Sequence, residues 1–493
     1  MSEPRSDSIA RNTWFAFVIS MMSAAFTAVL TLFLVRALGP EDYGVFALAM
    51  GVGSLALIPS DFGISQAASR FLAESRDDRG AVAGVFADAL RLKIAISGFF
   101  CLVLALVAGP VADAYDTPDL AWPIRLLAFG IFGQSILQLF DQVLEADRRV
   151  SVYLRIAITE SAAETIASIG LVLAGLGAAG AMAGRSGAYL FAAGFGFIVV
   201  LRALGVRPSL TGGSSGNLRR IAGYASAFLI IDGAFTLFTQ VDVLLIGAII
   251  SVTAVGQFQA PMRLMAFLGY AGAAAASGVA PRLARGREGP DTTSFSAALR
   301  RLMALQGIFI APLVVWADPL VRIALGSDYA ASADVMRALA PFAFLLAISP
   351  VLARGVNYLG EARLRIPIAI AAVLVNLGFD LVFLPKWGIV AGAVGTDIAY
   401  GIYVAAHLWI CRRMLAIPLL PLAVTLVRTL VAAGAMSAVL FAFGTDKDLA
   451  IPVVIGGGLL ATLVYGAVLL ATREITPGDL TRARAAVAGR LGR

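Results

Sequence analysis

The side chains able to do chemistry in this chain are polar groups set inside long apolar runs. Asp61, Glu160, Glu164, Asp232, Asp242, Arg263, Asp380, Asp397 and Arg428, with the amide of Asn376, all sit this way. An ionisable group in hydrocarbon is costly unless paired or wet, so it marks a functional site by default. Asp61, Glu160, Glu164, Asp242 and Asp380 are therefore candidates for an ion-coupling role or for structural charge pairing. Glu160 and Glu164 are four apart and share one helical face. They either line a wet cavity or hold a proton between them. Asp242 and Arg263 fall at similar depth on consecutive runs, roughly 10–15 Å below the outer surface at about 1.5 Å per residue. They form either one buried ion pair or two separate functional charges. Gln134, Gln138, Asp141 and Glu145 make a polar stripe at helical spacing. Such a stripe is either inter-helix hydrogen bonding or the wall of a cavity.

Other chemistries have no residues to support them. The three lysines, Lys93, Lys386 and Lys447, do not follow glycines, so there is no Walker A loop for ATP phosphates. The single histidine, His407, excludes an HExxH motif and any multi-histidine metal site. Ser214 matches G-x-S-x-G within Gly212–Gly216 but lacks the strand-turn-helix setting of a nucleophile elbow. Cys101 and Cys411 read as small buried apolar residues. No metal, cofactor or catalytic residue is expected, and the chain does not read as an enzyme.

The elements that must position these groups are set by composition. Apolar residues make up 59% and charged residues 14%, against about 45–50% and about 25% in soluble domains. With a mean hydropathy of +0.88, the solvent for most of the chain is lipid. Runs long enough to cross it, roughly 20 residues each, lie near 12–36, 43–69, 84–109, 120–144, 152–176, 186–203 and 221–250. They continue at 253–280, 298–325, 334–358, 364–385, 388–411, 417–443 and 449–471. The runs lack the alternation of barrel strands. The expected fold is an all-α integral membrane protein of about fourteen transmembrane helices. The first run is too long for a signal-peptide core and is read as a retained helix from Trp14 to Val35.

Charge placement sets the topology. Lys and Arg number 38 against 31 Asp and Glu, with a pI near 9.6, but the excess is ordered by loop. With the N-terminus inside, Arg70, Arg79, Arg148, Arg149, Arg219, Arg220, Arg300, Arg301, Arg412 and Arg413 all fall on the inner side. The outer breaks hold Asp113, Asp116, Asp119, Asp318, Asp328, Asp334, Asp446 and Asp448, with few cations, among them Arg36, Arg185, Arg322 and Arg337. This is the positive-inside rule, and it puts both termini in the cytoplasm. The basic balance thus reports membrane lipids as partners, not nucleic acid.

Two halves are expected. Residues 1–203 form an N-terminal six-helix bundle, 204–218 a Gly/Ser/Pro-rich cytoplasmic linker and 219–413 a second six-helix bundle. Two added helices occupy 414–472, and 473–493 is a basic cytoplasmic tail, with Thr476 and Pro477 as a helix start. Short matches recur between the halves at an offset of about 212 residues: Gly44-Val45-Phe46 with Gly256-Gln257-Phe258, and Phe86-Ala87-Asp88-Ala89-Leu90-Arg91 with Phe295-Ser296-Ala297-Ala298-Leu299-Arg300. Six is an even number, so the repeat is parallel, an arrangement found in secondary transporters.

The segment Leu34-Val35-Arg36-Ala37-Leu38-Gly39-Pro40-Glu41-Asp42-Tyr43-Gly44-Val45-Phe46, with Asp61-Phe62-Gly63-Ile64 and Ala68-Ser69-Arg70-Phe71 after it, resembles the opening of polysaccharide-biosynthesis proteins. These are the Wzx-type flippases of the multidrug/oligosaccharidyl-lipid/polysaccharide exporter superfamily. Gln240-Val241-Asp242, Val255-Gly256-Gln257-Phe258 and the set Asn376, Pro385, Gly388, Gly392-Ala393 are also similar. The family usually carries a second Asn where this chain has Asp380. The resemblance implies two six-helix bundles around a central cavity, in a bacterial inner membrane. Its implied substrate is a polyprenyl-diphosphate-linked oligosaccharide moved from inner to outer leaflet by alternating access. Implied partners are that lipid-linked oligosaccharide and the polymerase and glycosyltransferases of the same route. A sugar headgroup cannot shed its water into hydrocarbon without replacement, and Arg suits a diphosphate by its bidentate fork. Arg263, Arg428, Arg36 and Asn376 are the expected substrate-binding candidates. Three other readings stay open: an ion-coupled drug or cation antiporter, a peptidoglycan-precursor flippase, and an integral-membrane glycosyltransferase or polymerase.

Overall fold

A helix crosses 30 Å of hydrocarbon in about 20 residues, and the chain is cut into pieces of that length by residues that leave the helical region. The computed structural model describes residues 9–75, 78–147, 149–205, 217–269, 272, 275–276, 292–359 and 362–475. The central part of the expected linker, Arg207, Arg282 and the tail helix start at Thr476 lie outside these residues. Among the described residues the regular structure is all helical. Ten segments there are long and apolar enough to cross a membrane. Two of them, Ala25–Glu74 at 50 residues and Ser151–Leu204 at 54, are each long enough to cross twice.

The chain must therefore turn inside both. The first, α1 (Ile9–Asp61), turns at Gly39, with φ 67 and ψ 176. Glycine takes that conformation without a Cβ penalty, and Pro40 follows with its φ preset for a helix start. The second turn joins α5 (Val150–Leu171) to α6 (Gly177–Leu204) through the π turn Val172–Leu176, with positive φ at Gly175 and Gly177. Between these lie α2 (Ile64–Glu74), α3 (Arg79–Ala114) and α4 (Ala121–Ala146). After them come α7 (Asn217–Ile249) and α8 (Val252–Ala266).

Two expected spans are not single helices. The run at 298–325 is α9 (Thr292–Gln306), a 3-10 turn at Gly307–Phe309, α10 (Ile310–Val315) and α11 (Ala317–Ala324). The run at 334–358 is α12 (Ser332–Ala338), α13 (Ala340–Leu346) and α14 (Ser349–Tyr358). Proline is the cause: α13 and α14 carry Pro341 and Pro350 in their first positions. There the missing N–H costs nothing, but a continuous helix would be interrupted. The remaining helices, α15 (Arg365–Trp387), α16 (Ile389–Leu415), α17 (Leu419–Ala442) and α18 (Ile451–Ala471), are unbroken.

The chain separates into two compact units. One takes Met1–Gln259 with Asp380–Ile389, the other Ala260–Phe379 with Val390–Arg493. In the first, α4, α5 and α6 pack closely because small residues meet backbone. A side chain at Gly184 would overlap Ser168, and one at Gly133 would overlap the Tyr189 backbone. Phe86, Phe140, Leu139 and Ile64 fill the core beside them. In the second unit, α17 and α18 clasp the segmented run. The Tyr465 hydroxyl donates to the Ala304 carbonyl at 2.6 Å, and the Trp316 indole N–H to the carbonyls of Leu440 at 3.2 Å and Gly444 at 2.9 Å.

Candidate functional site

The first polar centre lies where α1 gives way to α2. Phe62 and Gly63 have φ of 48 and 70, so the helix breaks, and the left-handed conformation at Phe62 costs about 1–2 kcal/mol. Asp61 sits on the break. Its carboxylate accepts the Gly63 N–H at 3.1 Å and the Ser65 hydroxyl at 2.5 Å. It also pairs with the Lys93 ammonium, which donates to Ser65 Oγ at 2.9 Å. The Lys93 side chain, from α3, has no solvent exposure. The Ser60 carbonyl, on the other flank of the break, accepts the Ser135 hydroxyl of α4 at 3.0 Å.

A second centre is held by α4, α5 and α6. Glu164 pairs with Arg185, whose other nitrogen donates to the Tyr189 hydroxyl at 3.0 Å. Glu160 accepts the Ser161 hydroxyl at 3.2 Å and lies in the field of Glu164, Arg185 and Asp141. Helical spacing explains the shared face of Glu160 and Glu164, while Arg185 is a correction to the topology. Its expected place was an outer loop, but α6 begins at Gly177, and the guanidinium is only 18% exposed beside Glu164. Of the α4 stripe, Asp141 joins this centre, while Glu145 is exposed.

The third centre pairs α7 with the end of α15. Asp242 and Asp380 are both buried, and the two carboxylates lie within hydrogen-bond reach of each other. Among the described residues no N–H or O–H donor reaches either oxygen of Asp380. Arg263, one arm of the ion pair considered with Asp242, is exposed on α8 and has no ion-pair partner among the described residues. Arg36 is exposed near the Gly39 turn, and Asn376 is fully buried on α15.

In the second unit, Arg428 is not alone. Its guanidinium donates to Glu474 at 3.0 Å; Arg300 reaches the same carboxylate at 2.8 Å and Thr425 at 2.7 Å. Glu474 is 3% exposed and follows directly on α18, where the sequence reading begins a solvated tail. Asp397 accepts the Phe342 backbone N–H at 2.8 Å, and the buried His407 turns Nδ1 to the Tyr403 carbonyl at 2.8 Å. A carbonyl can only accept, so Nδ1 carries the proton there.

Lys93 and Arg185, which pair with Asp61 and Glu164, are not among the residues the sequence points to. Lys93 stood in plain view as a lone cation within an apolar run, and any lysine at that depth requires a partner. Arg185 was hidden by an underestimated helix start. No cluster of three or more metal-ligating side chains occurs among the described residues. The three centres hold charged side chains largely out of water between the helices.

Known proteins are similar to this chain in sequence or in fold. The "Probable low-salt glycan biosynthesis flippase Agl15" of Haloferax volcanii is 23% identical over 407 residues, covering 81% of this chain and 82% of that protein. Among solved structures, "Lipid II flippase MurJ, inward closed conformation" superposes with a TM-score of 0.77 at 13% identity, covering 92% of this chain and 98% of that one. An inward-facing multidrug resistance MATE family transporter of the MOP superfamily gives 0.64 at 14% identity, covering 82% of this chain and 98% of that one. At these identities the structures show a shared fold, and that fold is all-helical and membrane-spanning. The model of the family described as "Polysaccharide biosynthesis protein" matches residues 33–334, more than half of the chain, and the protein therefore belongs to that family.

Proposed function

We propose that this protein is a flippase that carries a polyprenyl-diphosphate-linked oligosaccharide across the cytoplasmic membrane for surface polysaccharide synthesis. The observation that carries the reading is the family match over residues 33–334, joined to a helical body whose polar groups are buried charges rather than a catalytic array. Both termini lie in the cytoplasm, in keeping with the loop-by-loop placement of arginine. The enzymes that build and polymerise the glycan are its partners by function.

Asp242 and Asp380 are the coupling site in this reading. Two neighbouring buried carboxylates disfavour joint ionisation, so a proton or a monovalent cation bound there would change their charge state during transport. Arg263, exposed and without an ion-pair partner among the described residues, is the diphosphate contact, with Arg36 and Asn376 as further polar groups for the substrate. Glu160 and Glu164 shape the field of the α4–α6 centre around Arg185.

The test is leaflet exposure of substrate. Proteoliposomes holding the protein and a fluorescent undecaprenyl-diphosphate oligosaccharide should make the inner-leaflet pool accessible to a membrane-impermeant quencher. An Arg263→Leu protein should insert normally and fail to do so. Equal rates with and without protein would remove the flippase reading.

A further inference from the structure

The break in the second membrane run is supported from both flanks, and the support is electrical on one side. Asp61 accepts three donors at once, the Gly63 N–H, the Ser65 hydroxyl and the Lys93 ammonium. Lys93 has no water to turn to, since its side chain is wholly buried, and its helix is tied at that turn by Ser97 Oγ donating to the Lys93 carbonyl at 2.5 Å. Phe62 is left in a conformation that a phenylalanine adopts only when its surroundings over-determine it. The freed Ser60 carbonyl is taken by Ser135. α2 is thus a separate helix of eleven residues, set off from α1 at the residue whose carboxylate Lys93 holds.

We infer that the Asp61–Lys93 pair is a latch for α2, with Lys93 as the positioning residue. While the pair is closed, α2 is held off the axis of α1. When it opens, Asp61 loses its strongest donor, Phe62 returns to the helical region and α2 swings into line. A buried ion pair adds little net stability yet is costly to half-break, which makes it suited to separating two discrete states rather than to holding one. The latch rests on the transport reading for its purpose but not for its detection.

The experiment measures α2 directly. Spin labels at Ala73 on α2 and Arg155 on α5, both exposed, are placed in a protein whose Cys101 and Cys411 are changed to Ala. Without any ligand, Asp61→Asn with Lys93→Met should shift the major Ala73–Arg155 distance population, and Lys93→Arg should preserve it. Lys93→Met alone leaves a buried carboxylate orphaned and can fail to insert, so the double variant carries the test. Export of surface glycan should fall by about tenfold or more in the double variant, at equal membrane abundance, and survive in Lys93→Arg. Unchanged distances and export in the double variant would overturn the latch, as would a Lys93→Arg protein as impaired as the double variant. Surface glycan export that persists when the whole protein is deleted would fault the flippase reading, while distances shifted as expected would leave the latch standing.

Discussion

Two buried carboxylate centres in this protein carry opposite accounts. Glu474 is 3% exposed and saturated: two arginines and a threonine hydroxyl converge on it. Asp380 is fully buried, receives no N–H or O–H among the described residues, and faces another acid, Asp242. A carboxylate with three donors is finished as structure, because a buried acceptor gains by being satisfied. A carboxylate beside another acid lacks that satisfaction, because like charges disfavour joint ionisation. The contrast gives a basis for sorting charges that hold helices from candidates for transport, which depth along the sequence alone does not.

The largest effect expected from that contrast falls on transport at the unfinished pair. Asp242→Asn and Asp380→Asn should each lower glycan export roughly 5–150-fold, the range of typical coupling free energies. Thermal stability in detergent should stay level or rise, since one of two facing like charges is removed. Export at wild-type rates in both variants would make the pair as structural as Glu474.

Next comes stability at the finished centre. Glu474→Ala leaves Arg300 and Arg428 facing each other without their acid. A fully buried orphaned charge costs about 3–5 kcal/mol. Here the arginines are 36% and 32% exposed, so water screens part of the loss, and about 1–3 kcal/mol is expected. Arg428→Leu should cost less, because Glu474 keeps Arg300 and Thr425. Both should retain glycan export per inserted molecule. An export defect in Arg428→Leu at full abundance would support a substrate contact by that residue over a structural role.

The α4–α6 centre should fall between these. Arg185→Leu removes the cation that Glu164 pairs with and should destabilise more than Glu164→Leu with Arg185→Leu together, because the double change leaves no orphan. Ranking the three proteins by melting temperature in detergent checks it. A double variant less stable than Arg185→Leu would show that Glu164 contributes to stability by something other than its pairing with Arg185.

The sequence carried the fold at the level of composition and period. Apolar runs, positive-inside loops and the Leu34–Phe46 motif suffice for a multi-span helical protein of this family. It did not carry the places where a run is cut. Pro341 and Pro350 are visible in the sequence as possible helix starts, but a proline in an apolar run can also sit in a kinked continuous helix, so the run alone does not decide that separate helices result. The Asp61 break was only half announced: Gly63 is a residue that allows positive φ, but Phe62 beside it avoids that region and reads as a continuing apolar run. The candidate site was legible as a set of depths, not as pairings. Asp242 was weighed against Arg263 from the adjacent run, while its facing carboxylate comes from Asp380, 138 positions along the chain. Sequence spacing relates residues on one helix, and nothing in it names which distant helix a face will meet.

The smallest effect belongs to the ion pairs that lipid does not reach. Arg322 pairs with Asp448, both well exposed at 47% and 59%. By distance alone this pair looks as strong as the one at Glu474. Its surroundings differ: in water the attraction between two charges is screened, and two long side chains lose freedom to hold one geometry. Measured values for such pairs sit near 0–1 kcal/mol. Asp448→Asn should therefore shift the melting temperature within experimental scatter and leave export intact, and raising the salt concentration should weaken what little remains. The same salt series should leave the loss in Glu474→Ala unchanged, since ions do not penetrate to a 3% exposed carboxylate. A salt-sensitive Glu474 and a salt-insensitive Asp448 would invert the ordering of the two centres by burial. The division between structural and transport charges would then need another basis.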